Sequence, residues 1–239
     1  MCRIGGGVIL SACAITALIY AEGHIKPVGS NLELPAETRT IALTFDDGPR
    51  AETTEALLEG LAARDAKATF FVVGEQIAGN EALIARMAED GHQIGSHTYS
   101  HISIEGTSDE TVLQEISKNE VLLEHIVGAQ EFWLRPPYGL IEKEQQALME
   151  TPMVYWSIDP EDWKYRDTAH IAEHVCSRAK DGDIVLLHDF YPTSVAAALE
   201  IVDRLQAEGY RFVTVEELLR LHGTQPQAGR LYIDAKSYR

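Results

Sequence analysis

Residues 40–50 read TIALTFDDGPR, an apolar run that ends in two adjacent carboxylates and a Gly-Pro pair. Neighbouring side chains in a strand point to opposite faces, so one of Asp46 and Asp47 would normally face the core. A bend at Gly48-Pro49 relaxes this rule and allows both carboxylates to lie at one mouth of a sheet. The same residue types also favour ordinary turns, so this stretch alone leaves a turn and a functional site as equal alternatives.

Length, charge and cysteine content narrow the class of protein. The chain has 239 residues, enough for one large domain or two small ones, and its 45% hydrophobic content can fill a substantial core. The formal net charge of -17 argues against nucleic acid and anionic membrane surfaces as partners, because their phosphates would be repelled. The three cysteines (Cys2, Cys13 and Cys176) are too few and too scattered for a disulfide framework or a cysteine-based metal site.

The N-terminal segment has a different character from the rest. Residues 4–20 form an apolar run behind Arg3, and we expect residues 1–21 to be a secretory signal cleaved after Ala21. An uncleaved membrane anchor is one alternative, because the run approaches the length that spans a bilayer. A lipid anchor on Cys13 is the other. All three predict an exported protein (periplasmic, in the cell envelope or secreted), in which residues 22–38 form a linker.

From Thr40 onward, short β-rich runs alternate with longer helical patterns. About seven β-α units in succession predict an α/β fold whose parallel sheet closes, or nearly closes, into a TIM-like (β/α)7 barrel. We place this single domain at residues 39–221 and interpret residues 222–239, which lose the periodicity, as a C-terminal tail. The predicted strands are IALTF (41–45), ATFFVV (68–73), HQIGS (92–96), FWLRP (132–136), MVYWSI (153–158), DIVLLH (183–188) and RFVTV (211–215).

Polar side chains occupy the positions where these runs stop. In such barrels the chemistry lies at the C-terminal ends of the strands. Polar residues at the ends of five predicted strands favour a single assembled site over five unrelated polar positions. In chain order, the strand ends carry Asp46-Asp47, His97 with His101, Arg135, Asp159 to Trp163, and His188-Asp189.

The stretch SHTYSH contains two histidines four residues apart. On a helical turn His97 and His101 would face the same way, which suits two ligands of one divalent ion. Alone this spacing is a weak signal, and a solvated turn after a strand is the alternative. Two histidines and a carboxylate from another strand end would leave positions open for water and a substrate oxygen, as in a catalytic metal site. A thiolate-rich site is not expected, because no cysteine lies near these motifs.

Five motifs now occur in order at the predicted strand ends: TFDDGP, HTYSH, RPPYG, DPEDW and LLH. Together they resemble the motifs of the polysaccharide deacetylases of the NodB-homology type, which are carbohydrate esterases that remove N-acetyl groups from polymers such as chitin or peptidoglycan. The resemblance covers residues 39–221, and no polar residue of the motifs is lost. It implies a distorted (β/α) barrel of about seven strands, in agreement with the number of β-rich runs.

The resemblance implies roles for the charged residues and histidines of the first three motifs. Asp46 would be the general base, and Asp47 would bind one divalent ion together with His97 and His101, with zinc expected and cobalt or another divalent ion as the alternative. A metal-bound carboxylate is locked in its ionised form, so its free neighbour is the group that can accept a proton. Arg135 would pair with and orient Asp46, the alternative being an ordinary surface ion pair.

The resemblance also implies how an acetylated substrate would be held. The backbone amide of Tyr138, fixed by two prolines in an extended segment, would stabilise the oxyanion of the tetrahedral intermediate. His188 would protonate the leaving amine. Leu186, two residues earlier and on the same side of the strand, would line a small pocket for the acetyl methyl group.

The motif DPEDW supplies a carboxylate and an aromatic ring. Asp162 is expected to tune His188 or to join Arg135, and Asp159 is the alternative for this role. Trp163 would stack on a sugar face, with a place in the core as the alternative.

We therefore expect an acetylated amino-sugar polymer or oligomer as the substrate of a monomeric enzyme that contacts a membrane only through its N-terminal segment. An O-acetyl esterase of the xylan type and a cyclic amide hydrolase are alternatives, although the intact Asp47, His97 and His101 count against the latter. A sugar-binding module without activity would require loss of the acid or the base, and both Asp46 and His188 are present.

Overall fold

The computed structural model describes residues 38–239. The expected signal or anchor at residues 1–21, and all but the last residue of the expected linker, lie outside the described residues. Within residues 38–239, no helix combines the length and apolar character needed to cross a membrane.

Strands and helices alternate along most of the described chain. The strands are β1 (Arg39–Asp46), β2 (Ala68–Val72), β3 (Gln93–Ser96), β4 (Met153–Val154), β5 (Ile184–His188), β6 (Tyr210–Phe212) and β7 (Leu231–Tyr232). The α-helices are α1 (Ala51–Ala62), α2 (Glu81–Glu89), α3 (Asp109–Val127), α4 (Lys143–Gln146), α5 (Thr168–Cys176), α6 (Pro192–Ala207) and α7 (Val215–Leu221). Short 3-10 turns occur at Gly74–Gln76 and Pro137–Gly139.

The strands form a parallel sheet that curves into a distorted barrel. The central sheet has the order β3-β2-β1-β5, and β6 pairs with the N-terminal part of β1. A second parallel pair joins β4 and β7. Single bridges from Leu134 to Ser96 and to Met153, and from Ile158 to Val185, connect the region of β4 to β3 on one side and to β5 on the other. The predicted (β/α)7 barrel is confirmed, and it is distorted where single bridges replace strands.

Two of the predicted strands are much shorter than the sequence suggested. The run FWLRP contributes only the two bridges of Leu134, to Ser96 and to Met153, because Pro136 and Pro137 have no N–H to donate to a neighbouring strand. The run MVYWSI is a strand only over Met153–Val154, with one further bridge at Ile158.

The C-terminal segment supplies the seventh strand. The short stretch LYI (231–233) contains β7, which pairs with β4, and both Leu231 and Tyr232 are buried. The amide of Arg239 donates to the carbonyl oxygen of Leu231 at 2.9 Å. The compact unit therefore continues past the predicted boundary at Leu221 to the last residue.

Side chains of β1 alternate between the helical layer and the barrel interior. Ile41, Leu43 and Phe45 pack in the core between the sheet and the helices. Thr44 and Asp46 have the opposite phase and point into the barrel, where both bind the same guanidinium group. The strand pattern thus carries one carboxylate to the interior at the C-terminal end of the sheet.

Candidate active site

Asp46 and Asp47 reach the same mouth because the backbone changes at Asp47. Asp46 keeps the strand phase of β1, whereas Asp47 has a φ of 72°, in the left-handed region that few non-glycine residues adopt. The change comes one residue before the predicted bend at Gly48-Pro49. Both carboxylates consequently line one pocket.

Asp47 lies beside two imidazoles. The possible ligand atoms of Asp47, His97 and His101 are all within 4.8 Å of one another. Oδ1 of Asp47 is 3.6 Å from Nε2 of His97 and 3.2 Å from Nε2 of His101. This Oδ1 atom is buried and has no hydrogen-bond partner among the described residues. A buried carboxylate oxygen without a donor, facing two imidazole nitrogens, fits a divalent ion with three protein ligands and open positions.

The protonation state of His97 suits such an ion. Its Nδ1 lies 2.7 Å from the carbonyl oxygen of Arg135, so Nδ1 carries the proton and Nε2 is free to act as a ligand. Burial lowers the pKa of His97, although Asp46 and Asp47 oppose this effect, and a metal ligand must be neutral.

The loop that carries the two histidines is not a helical turn, so this part of the sequence-based prediction is wrong. Thr98 and His101 have φ values of 63° and 56°. The left-handed backbone, rather than helical spacing, brings the rings of His97 and His101 to a centroid separation of 4.9 Å. The two histidines lie close together as the spacing predicted, but through a different geometry.

Arg135 is fully buried and is paired with Asp46. Its Nη1 donates to Oδ1 of Asp46 at 2.8 Å and to Oγ1 of Thr44 at 2.6 Å, and its Nη2 donates to the carbonyl oxygen of Tyr155 at 2.7 Å. The alternative of a surface ion pair is therefore wrong. Oδ2 of Asp46 is 3.7 Å from Nε2 of His97, close to the ligand cluster.

His188 lies at the end of β5, and its Nε2 is 3.9 Å from Oδ2 of Asp47. Its Nδ1 contacts Asp162, which is fully buried. Of the two carboxylates considered for this position, Asp162 is the one bonded to the histidine. Asp159 instead accepts a hydrogen bond from the amide of Glu161 and lines the pocket, and burial raises its pKa.

These groups surround a pocket of about 390 Å³. All the predicted site residues line it except Arg135 and Asp162, which lie behind Asp46 and His188 respectively. Leu186 is buried on the same side of β5 as His188, as strand alternation predicts. Trp163 is half exposed at the pocket wall, so it is not a core residue.

Tyr138 lines the pocket in a conformation that the sequence did not predict. It has φ 60° and ψ 5° within a 3-10 turn, not the extended backbone expected between prolines and glycine. Its ring packs edge-on against His101 with a centroid distance of 4.7 Å. Among the described residues, no backbone acceptor takes a hydrogen bond from the Tyr138 amide, which is thus available to a ligand.

The sequence analysis missed Trp156 and assigned no role to Asp189. Trp156 lines the pocket, and an aromatic residue just before the DPEDW motif was the available signal. Asp189, which follows His188 in the sequence, is fully buried next to Gly48 and accepts a hydrogen bond from Oγ1 of Thr54. A Cβ at Gly48 would lie 2.2 Å from Oδ1 of Asp189, so only glycine fits there. Burial raises the pKa of Asp189 to about 7.

Comparison with known proteins gives one consistent family. A family model described as polysaccharide deacetylase matches residues 33–156. The chain is 38% identical over 196 residues to the peptidoglycan-N-acetylglucosamine deacetylase PgdA of Listeria monocytogenes, an alignment that covers 82% of this chain but 41% of that protein. It is also 38% identical to a peptidoglycan-N-acetylglucosamine deacetylase of Bacillus cereus, covering 82% of this chain and 96% of the relative. The chain thus spans less than half of the first relative and nearly all of the second.

Solved structures give the same result. The peptidoglycan deacetylase PdaC of Bacillus subtilis superposes with a TM-score of 0.77 and 37% identity, covering 80% of this chain and 94% of that one. A family 4 acetyl xylan esterase of Clostridium thermocellum, in complex with a cobalt ion, superposes with a TM-score of 0.79 and 30% identity, covering 83% and 100% of the two chains.

Proposed function

The chain belongs to the polysaccharide deacetylase family, and we propose that it is a metal-dependent hydrolase that removes N-acetyl groups from a polysaccharide containing N-acetylglucosamine. One observation carries the proposal: the two adjacent carboxylates have different partners. Asp47 faces the Nε2 atoms of His97 and His101, whereas Asp46 is bonded to Arg135. Asp47 would therefore be a metal ligand, and the neighbouring Asp46, outside the ligand set, would be a base.

Asp47, His97 and His101 would hold one divalent ion, which as a Lewis acid would polarise a water molecule and the acetyl carbonyl group. We propose zinc, because imidazole and carboxylate ligands in an open three-residue site suit it. Cobalt is the alternative, supported by the cobalt ion in the similar esterase structure.

Asp46 would accept the proton of the attacking water. Its Oδ1 is held by Arg135, which leaves Oδ2 directed toward the ligand cluster. His188 would then donate a proton from Nε2 to the departing nitrogen, since an amide anion is a poor leaving group and Nδ1 is held by Asp162.

The remaining pocket residues would bind the acetylated sugar. The free backbone amide of Tyr138 would donate to the oxyanion. Leu186 would contact the acetyl methyl group, and the half-exposed ring of Trp163 would stack on a sugar face.

Peptidoglycan is the proposed polymer, with chitin-like oligomers as the alternative. Two relatives that are 38% identical to this chain are named peptidoglycan-N-acetylglucosamine deacetylases, which supports this choice. An O-acetyl esterase is a second candidate, because an acetyl xylan esterase has the same fold over 83% of this chain. We also propose that the enzyme is exported (periplasmic, in the cell envelope or secreted), which accords with the apolar run at residues 4–20, and that it is monomeric.

The test compares peptidoglycan, N-acetyl chito-oligosaccharides and acetylated xylan as substrates of the zinc-loaded protein. We expect peptidoglycan to release acetate together with an equal amount of free amine, and the matched variant His188→Ala to be strongly impaired. Acetate from xylan with no amine from either glycan would favour the esterase. Absence of acetate from all three substrates would overturn the proposed function.

A further inference from the structure

The loop between the two histidines has a backbone that needs support. Residues 97–101 contain two left-handed residues, Thr98 and His101, neither of which is a glycine. Such conformations cost on the order of 1–3 kcal/mol each and persist only where the surroundings impose them. Gly74 and Glu75 donate backbone hydrogen bonds to the carbonyl oxygens of Thr98 and Tyr99, which fixes the middle of the loop.

Asn119, on α3, fixes the end of the loop next to His97. Its side chain is fully buried, and its Nδ2 lies 2.8 Å from the carbonyl oxygen of Val72 and 3.0 Å from that of Thr98. The same Nδ2 is 3.0 Å from Oγ of Ser96. Because the two carbonyl oxygens can only accept, the amide must point its NH₂ group toward them. One side chain thus binds the residues on both sides of His97.

Glu115, one helical turn earlier on α3, fixes the end of the loop next to His101. Its Oε2 accepts hydrogen bonds from the backbone amide of Ser100 at 2.7 Å and from the Ser100 hydroxyl at 2.8 Å. Glu115 and Asn119 lie on the same face of α3, four residues apart. Side chains of α3 are therefore hydrogen-bonded to the loop at residues adjacent to each histidine.

We propose that Glu115 and Asn119 are positioning residues for the metal site, an inference that rests on the proposed function. Neither residue belongs to the ligand cluster or lines the pocket. Their hydrogen bonds hold the backbone on either side of the two imidazoles, so that Nε2 of both rings meets Oδ1 of Asp47 before any ion arrives. Outer residues that orient ligands in this way typically contribute about 10–100-fold to metal affinity.

The experiment measures binding of Co²⁺ to metal-free protein, with Zn²⁺ competition, the dissociation rate and the absorption spectrum of the Co²⁺ complex as readouts. We expect Glu115→Ala and Asn119→Leu each to weaken binding by about 10–100-fold, to speed dissociation and to alter the spectrum. Glu115→Gln keeps an oxygen acceptor for Ser100 and should recover most of the affinity. Ser117→Ala, on the exposed side of the same helix, is the matched control and should bind as the wild type does.

The free energy of unfolding of each metal-free variant separates positioning from general destabilisation. If Asn119→Leu does not fold, Glu115→Ala and Ser100→Ala test the positioning role instead. Both variants should fold, because the replaced side chains are only partly buried. A folded Glu115→Ala variant with wild-type affinity, dissociation rate and spectrum would overturn the positioning role alone. Failure of the wild-type protein itself to bind Co²⁺ or Zn²⁺ would instead overturn the proposed function.

Discussion

His188 and Asp162 are joined by two hydrogen bonds: Nδ1 of His188 lies 2.7 Å from Oδ1 of Asp162, and the backbone amide of His188 donates to Oδ2 at 2.9 Å. Burial alone would lower the pKa of His188. The hydrogen bond and charge of Asp162, together with the charges of Asp46 and Asp47, outweigh burial and raise the pKa to about 9. In the metal-free protein the imidazole is therefore protonated at neutral pH and can act as an acid.

Asp162→Asn should lower the pKa of His188 by about 1–3 units in the metal-free protein, because the substitution removes the buried charge that stabilises the imidazolium. The measurement is an NMR titration of the ring protons. In the loaded enzyme, the alkaline limb of the pH–rate profile should move to lower pH in the same variant. Asp159→Asn is the matched control and should have the smaller effect, since Asp159 makes no hydrogen bond to His188. Equal shifts in the two variants would contradict the assignment of Asp162.

Asp46→Asn and Asp47→Asn form a matched pair that tests the division of roles between adjacent carboxylates. Asp46→Asn should keep its affinity for Zn²⁺ and lose about 10²–10⁴-fold in kcat, because it removes a base and no ligand. Asp47→Asn should lose affinity for the ion, because an amide oxygen is a weaker ligand than a carboxylate. Zinc content after dialysis and steady-state kinetics decide between them. The assignment fails if both variants lose the ion equally.

Arg135→Met should lower the free energy of unfolding by about 3–5 kcal/mol, because it leaves the buried carboxylate of Asp46 without its partner. Arg135→Lys should be intermediate, since an ammonium cannot reach Asp46, Thr44 and Tyr155 at once. The double variant Asp46→Asn/Arg135→Met should recover part of the loss, as neither charge then remains. Chemical denaturation of the metal-free proteins measures all three, and a fully stable Arg135→Met variant would refute this account.

Strand alternation explains why much of the site could be predicted from the sequence. The phase of β1 and β5 brings Asp46, Leu186 and His188 to the interior, and period-two patterns are visible in a single sequence. The parallel order of the strands then gathers their C-terminal ends at one mouth. Both inferences depend only on local pattern and on the geometry of parallel sheets.

The errors fall where distant residues impose the backbone. Thr98 is left-handed and its carbonyl oxygen accepts a hydrogen bond from Asn119, a residue outside the motif SHTYSH, and nothing within the motif specifies this backbone. Likewise, the strand in LYI (231–233) exists because it pairs with β4 about 80 residues earlier, and three apolar residues carry no periodicity of their own. Local propensity was overridden by tertiary contact in both cases.

His92 gives a prediction about stability that does not involve the site. It is buried, its Nδ1 accepts a hydrogen bond from the amide of Ala68 at 3.1 Å, and its Nε2 has no partner among the described residues. Burial, helped by the nearby charge of Lys67, lowers its pKa to about 4. Protonation of His92 thus favours the unfolded chain. The free energy of unfolding is therefore not reduced by His92 above about pH 6.5, and it decreases as the pH falls from there toward 4.

His92→Asn should flatten this part of the pH dependence, because the Asn oxygen can accept the same hydrogen bond from Ala68 and does not titrate. Lowering the pKa of His92 from 6.5 to about 4 corresponds to about 3 kcal/mol. The loss of unfolding free energy between pH 7 and pH 4 should therefore be smaller in the variant than in the wild type by about that amount. His125→Asn, the same substitution at an exposed position of α3, should leave the wild-type curve unchanged. Denaturant titrations across this pH range make the comparison, and parallel curves for His92→Asn and the wild type would mean that His92 is not held neutral by the fold.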